Sequence, residues 1–265
     1  MAIPLSAWIE SIGLLGPGLP DWPTARAILA GDAAYTPGLT SAPAPPGLPP
    51  AERRRAGLAV KVALAVAHEA IAAGQLDARD LATVFTSSGA DGDNCDAICA
   101  VLASDDRHIS PTRFHNSVHN APAGYWGIAS GAMAPATVLC AYDASFGAGL
   151  LEALTQVAVE ASPTLLIAYD APYPEPLHAK RPLPAAFGLA LALAPQQSEQ
   201  SLARIEVTLC DAAPDMLSHD ELEAVRHAIP AARGLPLLQA LARGETRPVV
   251  LDYLAPLRLA VRVEF

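Results

Sequence analysis

One corner of the sequence places a charged side chain at the start of a helix, where it could take part in chemistry. Asp143 follows an apolar, β-branched stretch at residues 137–142 and precedes a helix-forming stretch at residues 145–161. Because backbone N–H groups and the helix dipole favour negative charge at a helix start, a carboxylate is stabilised there. Asp143 is therefore either the N-cap of this helix or a functional residue at the mouth of an α/β sheet. The spacing alone favours the cap.

Serines and histidines near this corner give only a weak indication of hydrolase or metal chemistry. Ser145 lies in Asp-Ala-Ser-Phe-Gly, which lacks the first glycine of the G-x-S-x-G nucleophile elbow, and Ser130 has the wrong spacing. His115 and His119 stand four residues apart, as in a helical zinc site, but prolines flank them and the glutamate of H-E-x-x-H is missing. We expect these four side chains to be structural.

The cysteines add no metal or redox motif. Their spacing matches no zinc pattern, and neither a G-x-G-x-x-G nor a G-x-x-x-x-G-K nucleotide loop is present. We therefore expect no metal and no cofactor, and reduced, mostly buried thiols in a cytoplasmic protein. The four residues are Cys95, Cys99, Cys140 and Cys210.

The composition excludes several classes of protein. The chain has 265 residues, of which 52% are hydrophobic, so it can bury a core and general disorder is excluded. A net charge of −10 and an aromatic content of 5% argue against nucleic acid as a partner. We expect no signal peptide and no membrane span, because the longest apolar run is short and contains Lys61.

Strand-like and helix-like stretches alternate along the chain, which predicts an α/β fold with a sheet covered on both faces. Residues 8–15 form a short strand or turn, the proline-rich residues 43–50 form an extended connector, and residues 109–125 show no clear period. The predicted strands are residues 83–86, 137–142, 164–169, 187–194, 202–210 and 257–265. The predicted helices are residues 51–74, 95–102, 145–161, 218–227 and 235–242.

Four segments, in this order, resemble the N-terminal half of a β-ketoacyl synthase of the thiolase-like fold. They are Thr-Ser-Ser-Gly at residues 86–89, Arg-His-Ile-Ser-Pro at 107–111, Asn-Ala-Pro-Ala-Gly-Tyr at 120–125, and the stretch from Gly-Ala-Met-Ala-Pro-Ala onward at 131–147. The resemblance implies a single thiolase-like domain over residues 1–265, layered α/β/α/β/α. Its C-terminal half would be shortened relative to complete ketosynthases.

The departures from this family concern the catalytic residues. At the matching position the nucleophilic cysteine is replaced by Asp143, and Cys140 lies three residues earlier, where we expect it to point into the core. The histidine motifs that serve condensation have no counterpart. Because a carboxylate cannot replace the thiolate that forms an acyl thioester, the resemblance implies a chain without condensing activity of its own.

A ketosynthase-like chain without its cysteine resembles the chain length factors of two-subunit polyketide synthases, and the short form is most similar to those of aryl polyene clusters. The resemblance implies a heterodimer with an active β-ketoacyl synthase, acyl carrier protein substrates, and an interface that includes residues 137–142. Residues 112–118 would then reach the acyl tunnel and help to set product length. The tunnel and interface candidates are Ile98, Leu102, Arg113, Phe114, Val138 and Cys140.

Two other functions stay open at this point. One is an autonomous acyl thioesterase or acyltransferase that uses Ser145 or Asp143 with a histidine. The other is a homodimeric acyl-binding protein without catalysis. A chain length factor requires a ketosynthase partner and an exposed apolar face when alone, whereas the alternatives require thioester chemistry by the pure chain or a stable homodimer.

Overall fold

Strands and helices are described for residues 5–89 and 91–265 of a computed structural model. The strands are β1 (Leu5–Leu15), β2 (Ala82–Thr86), β3 (Ala136–Leu139), β4 (Thr164–Asp170), β5 (Phe187–Ala194), β6 (Ala203–Cys210), β7 (Pro248–Asp252) and β8 (Arg258–Glu264). The helices are α1 (Trp22–Ala30), α2 (Pro50–Arg55), α3 (Leu58–Ala73), α4 (Gly92–Leu102), α5 (Pro111–Asn116), α6 (Ala121–Ser130), α7 (Ser145–Glu160), α8 (Leu177–Lys180), α9 (Asp220–Ala228) and α10 (Leu235–Arg243). Short 3₁₀ turns lie at Ala78–Asp80, Tyr142–Ala144 and Pro230–Gly234.

The eight strands form one continuous sheet in the order β3-β2-β4-β5-β1-β6-β8-β7. β2 runs parallel to both β3 and β4, and the other neighbours are antiparallel. β1 joins two wings, because Trp8–Leu15 pairs with β5 while Leu5–Ile9 pairs with β6. A register irregularity between Ile9 and Ser11 marks the join, and such irregularities bend a strand. We call β3-β2-β4-β5-β1 the N-terminal wing and β6-β8-β7 the C-terminal wing.

Helices α3 and α6 cover the outer face of the N-terminal wing. Side chains of α3, such as Val62 and Val66, are buried with Ile167 of β4 in one apolar cluster. The approach of α3 to β1 is very close, because a Cβ atom built on Gly13 would lie 2.0 Å from the carbonyl oxygen of Val66. The Ser11 hydroxyl donates to the carbonyl oxygen of Ala70 at 2.7 Å, so β1 and α3 are also hydrogen bonded.

The main core lies on the face of the sheet opposite α3 and contains α7, α10 and the Pro230–Gly234 turn. Phe146 and Leu150 of α7 are fully buried there, together with Leu189 of β5 and Val261 of β8. Both wings therefore pack their inner faces on the same helices, and α7 is enclosed along most of its length. This enclosure holds the start of α7, and with it Asp143, at a defined position.

The opposite face of the C-terminal wing carries polar side chains. Arg204 forms an ion pair with Glu264 at 3.0 Å, and Arg262 pairs with the same carboxylate at 2.9 Å. No helix within residues 5–89 and 91–265 packs on this face. The predicted α/β fold is confirmed. The strands on this face alternate polar and apolar residues, as expected for a sheet face in contact with solvent.

Several local predictions differ from the structure. Residues 8–15 belong to one long central strand, and Ala56–Gly57 divides the predicted helix of residues 51–74 into α2 and α3. The irregular residues 109–125 contain α5 and the start of α6, which are short helices begun by proline and therefore give little periodic signal. The structure also contains helix α1 and strand β7, which the sequence analysis did not predict. Within the described residues, no helix is both long and apolar enough to cross a membrane.

Candidate functional site

The corner at Asp143 differs from the predicted helix cap. β3 ends at Leu139, the 3₁₀ turn Tyr142–Ala144 follows, and α7 begins only at Ser145. The N-cap position therefore falls on Ala144, which has no side chain that can accept a hydrogen bond from the helix. The N-cap prediction for Asp143 is wrong, because the extra turn separates this carboxylate from the first turn of α7.

Asp143 instead lies between two arginines. Arg181, between α8 and β5, donates from Nη2 to Oδ1 of Asp143 at 2.6 Å. Arg233, in the Pro230–Gly234 turn, places Nη2 3.4 Å from Oδ2 and donates from Nη1 to the Asp143 carbonyl at 2.8 Å. The Asp143 side chain is 44% exposed. Two guanidinium groups therefore stabilise this carboxylate, where the sequence had indicated the start of the helix.

Arg181 also packs on the residue before Asp143. Its Cζ atom lies 3.6 Å from the ring centroid of Tyr142, in a cation–π contact. Burial lowers the pKa of Arg181, but the hydrogen bond and charge of Asp143 outweigh burial, and the pKa is raised overall. Arg181 thus stays charged while it donates to Asp143 and stacks on the ring of Tyr142.

Ser145 is 1% exposed and its hydroxyl is saturated by backbone groups. Its Oγ accepts from the N–H of Ala141 at 3.0 Å and lies 3.0 Å from the Ser87 carbonyl and 2.7 Å from the Tyr142 carbonyl. None of these partners is a histidine. Ser145 therefore links the corner to the end of β2 through hydrogen bonds, as predicted for a structural serine. It has no histidine base beside it and is not accessible to a substrate, so it is unsuited to act as a nucleophile.

The prediction of buried cysteines is wrong. Cys140 is exposed beyond the last residue of edge strand β3, where no further strand of the described residues covers it, and its Sγ donates to the Ser88 carbonyl at 3.2 Å. Cys95 and Cys99 are exposed on α4, and Cys210 is half-buried. All four thiols are free.

Sequence reasoning missed a buried acid behind the corner. Asp170, at the end of β4, accepts from the N–H and hydroxyl of Ser88 at 2.8 and 2.6 Å and from the N–H of Ala231 at 2.8 Å. Burial raises the pKa of Asp170. The carboxyl group ties the loop after β2 to the Pro230–Gly234 turn, which carries Arg233. A charged residue directly after the apolar stretch 164–169 was the available signal.

The predicted tunnel and interface residues fall into two groups. Ile98 and Leu102 lie on α4, which packs against α5 with Arg113 and Phe114. Leu102, Arg113 and Phe114 are exposed and Ile98 is half-buried, while Nη1 of Arg113 lies 3.5 Å from Oδ1 of Asn94. The second group is half-buried Val138 on β3 and exposed Cys140 after it. The roles of both groups stay predictions.

An apolar groove between α5 and α6 joins this surface. It has a volume of about 410 Å³ and is lined by Phe114, Val118, Tyr125 and Ile128 among others. Phe114 is 65% exposed, and Val118 and Ile128 are each about half exposed. Sequence reasoning missed this groove, because no period in residues 109–125 indicated the two helices that form it.

Strand β3 has an open edge. Among the described strands it pairs with β2 alone. The N–H of Thr83 donates to the Pro135 carbonyl and that of Ser87 to the Leu139 carbonyl, so alternate residues of β3 bond to β2. The backbone groups of Ala136 and Val138 consequently point to the open edge, where another strand can add.

The fold and the corner define a thiolase-like α/β protein, and the comparisons with known proteins agree. Residues 30–252 match the family model "Beta-ketoacyl synthase, N-terminal domain". Because the match spans most of the chain, the protein belongs to the β-ketoacyl synthase family through this domain. The predicted family is therefore confirmed. A comparison with curated protein sequences gave no match.

Solved structures share the fold over nearly the whole chain. The protein is similar, with a TM-score of 0.73 and 22% identity, to a chain of the ketosynthase ApeO in complex with its chain length factor ApeC from Xenorhabdus doucetiae, covering 97% of this chain and 99% of that one. The ishigamide ketosynthase/chain length factor gives a TM-score of 0.69 and 14% identity, covering 98% and 99%. AntDE:AntF, a type II PKS acyl-carrier protein in complex with its ketosynthase, gives 0.71 and 11%, covering 99% of both chains. At these identities the likeness concerns the fold.

Proposed function

We propose that this protein is a non-catalytic, chain-length-factor-like subunit that pairs with an active β-ketoacyl synthase. The observation that carries the proposal is the corner itself. At the position of the family's nucleophilic cysteine stands Asp143, held by Arg181 and Arg233. A carboxylate neutralised by two guanidinium groups forms no acyl thioester, so the chain keeps the fold of a ketosynthase without its first chemical step.

The open edge of β3 supports a partner at this side of the sheet. The backbone groups of Ala136 and Val138 are directed outward, and exposed apolar residues are present on the neighbouring segments. Exposed strand edges and contiguous apolar patches are association sites. We therefore assign residues 137–142 to the interface with the ketosynthase. Exposed apolar side chains from α4 to the 3₁₀ turn are Leu102, Phe114, Val118, Ile128, Met133 and Tyr142.

The α5–α6 groove supports a role in shaping the acyl tunnel. Its volume of about 410 Å³ and its apolar lining suit an alkyl or polyene chain. Phe114 lies at this groove, and Arg113 and Leu102 lie on the adjoining α4–α5 surface, so their bulk would limit the length of a chain that enters from the partner. The substrates would be acyl groups on carrier protein, in aryl polyene, polyketide or fatty-acid-like elongation, as the complexes of the relatives suggest.

We further infer a single domain over residues 1–265 in the cytoplasm. One sheet runs through both wings, and the wings share the core around α7. Four free cysteines, three of them exposed, suit a reducing compartment.

The test is co-expression with a β-ketoacyl synthase, encoded beside this chain where one is present, followed by size-exclusion chromatography with light scattering. The proposal predicts a one-to-one heterodimer. Two separate peaks, with this chain as a monomer or homodimer, contradict it. In that case thioester hydrolysis by the pure chain, with Ser145→Ala as control, tests the enzyme alternative, which the burial of Ser145 disfavours.

A further inference from the structure

Tyr142 holds a backbone conformation that its residue type disfavours. Its φ is +52°, in the left-handed region. Glycine, asparagine and aspartate adopt this region most readily, and a bulky side chain is uncommon there. Such a conformation costs free energy and persists only where the surrounding contacts enforce it, most often at functional sites. The tyrosine also lies at the corner where the family's nucleophile would stand, one residue before Asp143.

The contacts that enforce this conformation form a chain of charged groups. The Arg181 guanidinium covers one face of the Tyr142 ring at 3.6 Å, and Asp143 holds Arg181 through a hydrogen bond of 2.6 Å. Arg233 fixes Asp143 from the other side through its carbonyl and carboxylate. The ring is thus positioned before any partner binds. We call Tyr142, Asp143, Arg181 and Arg233 the corner array.

This array nevertheless leaves the ring available. Tyr142 is 59% exposed, although both arginines beside it are largely buried. An exposed aromatic ring that is held in a strained conformation beside arginine side chains is typical of an interface anchor, since tyrosine and arginine are enriched among such anchors.

We propose that Tyr142 is a pre-organised anchor for the ketosynthase, and that Asp143 acts as the positioning residue that holds it through Arg181. This inference rests on the proposed function. The partner surface would be a pocket on the ketosynthase, beside its strand that pairs with β3, lined by apolar atoms that receive the ring. Asp143 suits the positioning role because its two carboxylate oxygens contact Arg181 and Arg233 separately.

The test measures the dissociation constant of the heterodimer for Tyr142→Asn and Tyr142→Phe. Asparagine tolerates the left-handed conformation, so it removes the ring without adding strain. We expect Tyr142→Asn to weaken the complex at least about 30-fold while its Tm as an isolated chain is unchanged or raised. Tyr142→Phe should stay within about threefold of the wild type. If the role of Tyr142 were only structural, Tyr142→Asn would lower the Tm of the isolated chain without a matching loss of affinity for the ketosynthase.

A double-mutant cycle tests the role of Asp143. Asp143→Asn should weaken the complex about tenfold in the wild-type chain and have little effect in the Tyr142→Asn chain, because its action depends on the ring. Phe265→Ala is the matched control, since Phe265 is 57% exposed beyond β8, on the C-terminal wing. It should change the affinity less than twofold.

The outcomes separate the two proposals. If the wild-type chain binds no ketosynthase, the proposed function fails. If the wild type binds and Tyr142→Asn binds equally well, only the anchor is refuted. If both single variants weaken binding and their effects add fully, the positioning role of Asp143 is refuted.

Discussion

At the scale of the residue, the chemistry of the corner depends on the Asp143 carboxylate, which the sequence resemblance aligns with the family's nucleophilic cysteine. Asp143 lies between Arg181 and Arg233. Replacing it by cysteine would therefore remove the partner of two ion pairs as well as introduce a nucleophile. A thiol beside two guanidinium groups would ionise readily, since positive neighbours lower the pKa of cysteine. Ionisation alone would not give condensation, because the sequence resemblance assigns no residue of this chain to the histidines that serve that step in the family.

We therefore predict that Asp143→Cys creates a reactive cysteine but no condensing enzyme. The isolated variant should be alkylated by iodoacetamide at position 143, in addition to the exposed native cysteines, yet form no carbon–carbon bond from acyl and malonyl groups on carrier protein. The measurement is mass spectrometry of the carrier-bound products, with the wild type as control. Decarboxylation or condensation by the isolated variant would contradict the account.

At the scale of the element, the contact between β1 and α3 decides whether the N-terminal wing forms. We predict that Gly13→Ala destabilises the protein by about 3 kcal/mol or more, because the new methyl group would meet the Val66 carbonyl oxygen at 2.0 Å and α3 would have to move. The matched control is Gly124→Ala in α6, where nothing lies within 4 Å and the change should stabilise by about 0.5–1 kcal/mol. Urea unfolding measures both; equal effects would contradict this packing.

A second element contact predicts a pH dependence. Arg226 of α9 is buried and donates to Glu223 at 2.6 and 2.8 Å and to Asp252 of β7 at 2.5 Å. The hydrogen bond from Arg226 lowers the pKa of Glu223 below its usual value. For a lowered carboxyl pKa, the stabilisation is complete above the unfolded pKa of about 4.3 and is lost as the pH falls through the folded pKa.

Glu223→Gln should therefore cost about 1–3 kcal/mol at pH 7 and progressively less below about pH 4.3. The measurement is urea unfolding of both proteins at pH 7, 5, 4 and 3. A difference that is independent of pH, or that grows in acid, would show that the ion pair between Glu223 and Arg226 does not stabilise the protein.

At the scale of the whole molecule, the sequence predicted the strands that carry a clear local pattern. The strands β2, β4, β5, β6 and β8 lie within one or two residues of their predicted bounds. The first three are continuous apolar stretches, whereas β6 and β8 alternate polar and apolar residues. Helix α5 was missed because a short, proline-initiated helix carries little period, whereas the start of α6 was indicated by the family resemblance of residues 120–125. The central position of β1 depends on pairing with β5 and β6, which lie far along the chain and leave no local pattern.

The site was only partly predictable for a similar reason. The position of Asp143 at a strand-to-helix corner followed from the sequence, and the family was identified from short segments around it. Its partners Arg181 and Arg233 come from later parts of the chain that only the fold brings to the corner. The exposure of Cys140 follows from the open edge of β3, which depends on the strand order and is invisible in residue spacing.

The most direct test of the central claim compares the products of the ketosynthase with and without this chain. Carrier-bound products would be analysed by mass spectrometry for the ketosynthase alone, for this chain alone, and for the co-purified pair. The account predicts no product from this chain alone and elongated products of defined length only from the pair. Equal products and rates from the ketosynthase alone would contradict it.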